Sequence, residues 1–323
     1  MALQSLEHYS EILRQELEGF TLPEHPEKLY ESIRYIVNLG GKRLRPLMVL
    51  MGSDIGGEVN SDARKAALTV ELFHNFSLMH DDIMDNADLR RGKEAVHVKW
   101  NVPTAILGGD ALLVKTYSIL AQLTGPNKDV ILSLYNRTAL EVCEGQQMDI
   151  NFEERNDVSV EEYTEMIRLK TAVVMGAAFQ LGVLAANGGQ SLQKALYSYG
   201  ENLGIAFQLK DDYLDCFGEK GFGKKVGGDI IENKKTYLQL TALSLGSDAQ
   251  VSALKQQWNN SNDEEKVWQV SRIFSETGAQ EATEKAMNLY YQKALDAIDT
   301  PVISEDDRVG LAAFAKMVWE RVK

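Results

Sequence analysis

The chain has 323 residues, 44 % of them hydrophobic, only six prolines and no Pro-, Gly- or Ser-rich linker, so it reads as one large domain with a substantial core. A formal charge of −13 argues against general nucleic-acid or anionic-membrane binding. Cys143 and Cys216, the two cysteines, are too few and too far apart for a disulfide framework or a thiolate zinc site and read as reduced core thiols.

Met1 to Phe20 mixes charges at helical spacing and has neither the basic head nor the apolar middle of a secretory signal, which points to the cytoplasm. Leu29 to Asn38 predicts a helix stopped by Leu39-Gly40-Gly41, and a new apolar run follows the basic knot Lys42-Arg43-Leu44-Arg45-Pro46. From Ser61, the predicted N-cap, Ala66, Val70, Phe73, Phe76 and Ser77 recur at three- and four-residue steps, and Gly92 interrupts the helical region that follows. Asp110 to Leu123 and Val130 to Ile150 are further amphipathic helices. Ser159-Val160-Glu161-Glu162 is a capping box opening a helix that runs to Ala186 and closes at Asn187-Gly188-Gly189.

The longest apolar stretch, Ala172 to Ala186, contains Gln180 and is shorter than a membrane span requires, so no transmembrane segment is expected. Another helix starts at Ser191 and stops at Gly218, and Gly218 to Gly228, rich in glycine and lysine, predicts a mobile loop. Lys234 to Leu245, a charged pair of helices around Trp258 and Trp268, and Ser304 to Val322 complete an all-α reading. No run alternates clearly enough to demand a sheet.

Two of these helices carry the same pattern: Asp81-Asp82-Ile83-Met84-Asp85 and Asp211-Asp212-Tyr213-Leu214-Asp215. Residues four apart share a helix face, so each motif makes a small carboxylate claw. Hard oxygen ligands suit magnesium, which keeps several waters and joins one or two carboxylates to substrate phosphates. One such motif is as readily a solvated helix end; two are a stronger signal. An EF-hand is excluded by the missing Asp, Gly and distal Glu spacing. Three basic groups supply cations that a diphosphate needs: Lys42, Arg43 and Arg45; Arg90 and Arg91; and Lys224, Lys225, Lys234 and Lys235 around Asp229. Taken singly, each reads as ordinary solvated charge.

Gly-Lys-Arg-Leu-Arg-Pro, then Asp-Asp-Ile-Met-Asp with Arg-Arg-Gly downstream, then Lys170-Thr171, then Phe207-Gln208 before Asp-Asp-Tyr-Leu-Asp, resembles the trans-isoprenyl diphosphate synthases over Gly40 to Lys235. The resemblance implies a single-domain helical bundle around a deep central cavity. It also implies head-to-tail condensation of isopentenyl diphosphate with an allylic diphosphate, three magnesium ions and a homodimer. The implied metal set is Asp81, Asp85, Asp211 and Asp215: the first three bind magnesium directly, and Asp215, like Asp82 and Asp212, acts as a partner one step removed. Arg90, Lys170, Lys225 and Lys234 resemble the clamp on the allylic diphosphate. Lys42, Arg45, His74 and Arg91 resemble the isopentenyl diphosphate site. Thr171 and Gln208 resemble the polar groups at the reacting allylic carbon. Asp81, Asp85, Asp211, Lys170, Thr171 and Gln208 form the implied catalytic set.

His74 lies seven residues before Asp81 on the same helix face, where the family it resembles places a polar residue touching isopentenyl diphosphate, so the resemblance favours a binding role, whereas His80 reads as structural or solvated. Gln146 and Asp149 resemble a cavity-lining segment but read equally as a polar helix face. A growing prenyl chain needs an apolar tunnel, and side chains one and two turns before the first motif point along its wall. Phe76 and Ser77 therefore act as the length gauge, with Phe73 a second floor; core aromatics are the plainer reading of both rings. By resemblance, one aromatic beside a small neighbour favours geranylgeranyl diphosphate, with farnesyl diphosphate the runner-up. A terpene cyclase, which needs no second diphosphate site, and a non-catalytic subunit of a heteromeric synthase, which would have an eroded motif, are the rivals.

Overall fold

The computed structural model describes residues 3–218 and 227–320. They form helices throughout, and the only sheet among them is a two-stranded hairpin, Leu89–Arg90 (β1) with Lys93–Glu94 (β2). The all-helical expectation holds. The hairpin was not anticipated because two residues per strand are too few to show alternation; Gly92 lies in its turn at φ +74°. Two compact units emerge, Met1–Tyr135 with Ala178–Lys194, and Asn136–Ala177 with Ala195–Lys323.

The first unit holds α1 (Leu6–Gly19), α2 (Glu27–Asn38), α3 (Leu44–Gly56), α4 (Ser61–Met84), α5 (Val96–Lys99) and α6 (Val102–Leu120). Asn60, not Ser61, caps α4: its side chain accepts from the Ala63 N–H at 2.9 Å. The core of this unit joins Ile33, Ile36, Leu72, Met79, Val96 and Leu112. Helix α6 can approach α4 closely because Gly108 and Gly109 face it; a Cβ on Gly109 would lie 2.3 Å from His80 Nε2. His80 is thus wedged against α6 with Nε2 3.2 Å from the Ile106 carbonyl oxygen, the structural one of the two roles its sequence context left open.

The chain continues through α7 (Lys128–Glu154), α8 (Val160–Ile167), a π turn (Arg168–Ala172), α9 (Val173–Ala185) and α10 (Gln190–Phe217). The capping box at Ser159 and Glu162 forms in full. The expected long helix forms, and its apolar character reaches beyond Ala172 to Ala186: Val160–Ala185 has the length and composition to cross a membrane, yet 78 % of its most apolar window is buried inside the protein. Burial, not shortness, marks it as a core helix.

The second unit adds α11 (Gly228–Ile231), α12 (Tyr237–Leu245), α13 (Asp248–Gln257), α14 (Asp263–Glu276), α15 (Ala279–Ile298) and α16 (Glu305–Glu320). One of its cores gathers Tyr163, Ile167, Ile205, Leu209 and Met287; another gathers Cys216, Leu238, Phe274 and Ala279. The cysteine expectation is half corrected. Cys216 is a buried thiol, whereas Cys143 lies exposed on α7, and neither forms a disulfide.

Candidate active site

In the first unit the knot Gly40 to Pro46 is a strained turn feeding α3. Gly40 and Gly41 have φ +77° and +124°, and Arg43, also left-handed at φ +48°, occupies the N-cap. A Cβ on Gly41 would lie 2.5 Å from the Arg91 guanidinium carbon, so this glycine lets Arg91 lie against the knot that carries Lys42 and Arg45. Lys42 is exposed. Arg45 approaches His74, Nη1 to Nε2, at 3.4 Å. Burial, with the charges of Arg45, Arg91 and Arg90 adding to it, holds the His74 imidazole well below its usual value, so the ring is neutral. Arginine can only donate, which makes Nε2 the acceptor and leaves the proton on Nδ1.

Beneath this cluster lies Glu71, 1 % exposed. Arg43 Nε is 3.7 Å from its Oε1, and Asn75 Nδ2 donates to the same oxygen at 3.2 Å. Burial pushes the Glu71 carboxyl up, opposed first by Arg43 and then by Asn75, Arg91 and Arg45. Arg43 therefore turns to the scaffold, Arg45 is half-buried against His74, and Lys42 carries the outward charge expected of the knot.

The first motif closes α4. Asp82 is 0 % exposed and accepts from Arg90 Nε at 2.8 Å and from Arg90 Nη2. Asp85 is exposed and Asp81 partly so. Arg90 is therefore tied to the middle carboxylate and not displayed alone, a pairing that the residue spacing did not reveal. On the preceding turns Phe73 packs on Phe76 with ring centroids 5.6 Å apart and edge-to-face on Tyr135, also at 5.6 Å, while the Tyr135 hydroxyl bonds the Thr116 hydroxyl at 2.5 Å. Phe73 is buried, Phe76 and Ser77 are half-buried.

In the second unit Lys170 and Thr171 occupy the π turn, where the Val173 N–H reaches back to the Arg168 carbonyl. The widened turn packs against α7 at Gly145, where a Cβ would come within 2.4 Å of the Lys170 nitrogen. Lys170 Nζ donates to Asp149 Oδ2 at 2.6 Å, which gives Asp149 a defined partner; Gln146, beside it, is buried with its Oε1 lacking one among the described residues. Thr171 Oγ1 lies 3.5 Å from Gln208 Oε1, and Gln208 Nε2 donates to Asp212 Oδ1 at 3.1 Å.

Asp212 is 6 % exposed and its second oxygen accepts the Tyr163 hydroxyl. Burial, then the neighbouring Asp229, pushes the Asp212 carboxyl well up, against the pull of Tyr163 and Gln208. Asp211 is exposed and Asp215 half-buried; Asp215 Oδ2 accepts the Asp229 N–H at 3.0 Å. Burial and then the Asp215 charge raise Asp229 to about 6, and Lys234 opposes this from 3.6 Å. Lys234 also meets Glu232 at 3.1 Å. Lys225 lies outside the described residues, as does most of the loop expected between Gly218 and Gly228.

No three His, Cys, Asp or Glu side chains cluster as a ready metal cage among the described residues. The donor set nevertheless fits magnesium. Both motifs lie within the last two turns of their helices, the negative end of the macrodipole, with no basic residue in either last turn. Beyond burial, the Asp215 and Asp211 charges push the Asp229 carboxyl up. Hard carboxylate oxygens repelling at a helix end favour a divalent cation that keeps most of its waters. Tyr163 and Asp229 escaped the sequence reading: a tyrosine at helical spacing looks like core, and an aspartate between lysines looks like a solvated pair.

This all-α scaffold, with two paired-carboxylate helix ends and basic groups attached to each, defines an isoprenoid-synthase type of protein. The sequence model of the polyprenyl synthetase family matches residues 26–276, and the chain belongs to that family. It is 35 % identical to the geranylgeranyl pyrophosphate synthase of Geoglobus acetivorans over 93 % of this chain and 94 % of that one. The crystal structure of a geranylgeranyl pyrophosphate synthase superposes with a TM-score of 0.94 at 44 % identity, covering 99 % of each chain. The Corynebacterium glutamicum geranylgeranyl pyrophosphate synthase, solved with isoprenyl diphosphate and magnesium, superposes at 0.86 with 29 % identity over 98 % of both chains.

Proposed function

We propose that this prenyltransferase condenses isopentenyl diphosphate head-to-tail with an allylic diphosphate to give a short-chain all-trans product, geranylgeranyl diphosphate, with farnesyl diphosphate as the alternative. One observation carries the reading furthest: each Asp-Asp-x-x-Asp motif leaves one carboxylate exposed at a helix end, Asp85 or Asp211, a second partly so, Asp81 or Asp215, and ties the middle one to the scaffold. The names of the similar proteins support the product class.

In this reading Asp81, Asp85 and Asp211 would hold three magnesium ions, with Asp215 one step removed. Bound magnesium neutralises charge developing on the departing diphosphate. Arg90, Lys170, Lys225 and Lys234 grip that diphosphate; Lys170 leaves Asp149 to do so, exchanging one anionic oxygen for another. Lys42, Arg45, His74 and Arg91 bind isopentenyl diphosphate, with the His74 Nδ1–H as donor because Arg45 occupies Nε2. Thr171 and Gln208 present oxygens to the allylic carbon as its carbon–oxygen bond breaks. The isopentenyl double bond attacks that carbon, and the released diphosphate removes the proton from the adjacent carbon, so no side chain must act as general base. Phe76 and Ser77, backed by Phe73, limit the chain that grows away from the site.

The whole chain acts as one synthase domain in the cytoplasm. Exposed Leu107 and Val114, two turns apart on α6, support a homodimer. The decisive experiment incubates the protein with labelled isopentenyl diphosphate, magnesium and, in turn, dimethylallyl, geranyl and farnesyl diphosphate. Elongation to a twenty-carbon product is expected from each primer. No elongation of any primer, with an active control beside it, would overturn the synthase reading; loss of elongation on chelation and its return with magnesium test the metal.

A further inference from the structure

A glutamine amide has two unlike ends, and whichever end meets the substrate decides the sign of the charge presented. At Gln208 buried neighbours make the choice. Nε2 donates to Asp212 Oδ1 at 3.1 Å, and Oε1 is left on the side of the Thr171 hydroxyl, 3.5 Å away. Flipping the amide would set Oε1 against Asp212 Oδ1, two acceptors face to face, and forfeit the hydrogen bond to the carboxylate.

Asp212 can serve as this fixed acceptor only while its own rotation is stopped. The Tyr163 hydroxyl does that by donating to the second oxygen. Tyr163 is itself 3 % exposed, packed in the core with Ile167, Ile205 and Leu209, and carried by the helix that the Ser159–Glu162 capping box starts. Without its O–H, Asp212 keeps the amide on one side and an unsatisfied buried oxygen on the other. The cheapest repair is for the carboxylate to turn and take the amide with it.

We infer that Tyr163 is a positioning residue which, through Asp212, fixes the Gln208 amide so that its carbonyl oxygen, and not its NH₂ group, is presented to the carbon on which positive charge develops. This rests on the synthase reading above for the identity of that carbon, though not for the lock itself. An oxygen dipole aimed at developing positive charge lowers the barrier without tightening ground-state binding, so its loss reduces kcat and spares KM.

Two arms test the lock in the full-length protein. In the kinetic arm, Tyr163→Phe is expected to lower kcat about tenfold while both KM values stay within about twofold, and the Tyr163→Phe/Gln208→Ala double variant is expected to be no slower than Gln208→Ala alone. An unchanged kcat, a loss confined to KM, or losses that multiply in the double variant would overturn the inference. In the second arm, ¹⁵N-glutamine labelling follows the Gln208 side-chain amide, assigned by its disappearance in Gln208→Ala. Slow hydrogen exchange is expected in the unmodified protein and a moved, faster-exchanging signal in Tyr163→Phe. Fast exchange in the unmodified protein overturns the lock even if Tyr163→Phe does not fold. Should the unmodified protein elongate no primer, the synthase reading falls, and the amide signal alone decides whether Tyr163 governs Gln208.

Discussion

In both Asp-Asp-x-x-Asp motifs the second aspartate turns inward, but the two are received differently. Asp82 meets a cation, the Arg90 guanidinium, whereas Asp212 meets two neutral donors, the Tyr163 hydroxyl and the Gln208 amide. The same spacing thus performs two kinds of work. At the first motif the buried carboxylate fixes a positive charge beside the outward pair; at the second it fixes the direction of a neutral dipole. Helix geometry makes the contrast possible, because residues i and i+4 share a face from which i+1 points away by about 100°.

The outward pairs should behave alike. Asp81→Ala and Asp211→Ala are each expected to reduce turnover about a thousandfold or more without unfolding the chain, checked by product assay beside circular dichroism. If only one of them matters, the functional equivalence of the two claws is broken.

The inward aspartates should separate. Asp82→Asn removes the charge that holds Arg90 and is expected to cost about 2 kcal/mol in denaturant unfolding, less than a fully buried pair because Arg90 retains some solvent. Asp212→Asn should instead stabilise the metal-free protein at pH 7. The folded-state value of Asp212 is raised by burial first and by Asp229 next, above the unfolded value near 3.8, so the ionised group opposes folding. That penalty is absent below pH 3.8 and grows as pH rises above it; the stability gap between variant and unmodified protein should close on acidification. Equal responses of the two asparagine variants would erase the distinction.

A further test lies upstream of the first motif, which follows a stack of aromatics, Phe73 on Phe76 and Tyr135. Phe76→Ala should lengthen the product series by one or two five-carbon units with only a few-fold change in rate. Chromatography showing an unchanged series would remove the gauge and leave the reaction intact.

What was legible in the sequence was what depends on near neighbours. The capping box at Ser159, the double-glycine stop before Lys42 and the i, i+4 carboxylates are local patterns with local causes, and the structure contains all three. Asn60 displaced Ser61 as the α4 cap by a single position, a choice that depends on which side chain reaches the Ala63 N–H. Long-range pairings left no such trace. Tyr163 lies 49 positions from Asp212 and Lys170 lies 21 from Asp149, and nothing in either segment names its partner. Arg90, which by resemblance belongs to the allylic diphosphate clamp, is also held by the carboxylate eight positions earlier, a pairing its spacing does not announce.

The π turn at Arg168–Ala172 has the composition of an ordinary helix, and it carries one residue more than an ordinary turn would. Removing a single residue from it would let the hydrogen bonds close in the common pattern while rotating one flank against the other by about 100°. Tyr163 lies on one side of that turn, and Thr171 lies within it. Deleting Leu169 there would keep every proposed reactive group in the chain and still misdirect them, so at this point the residue count is as much a determinant of the chemistry as residue identity.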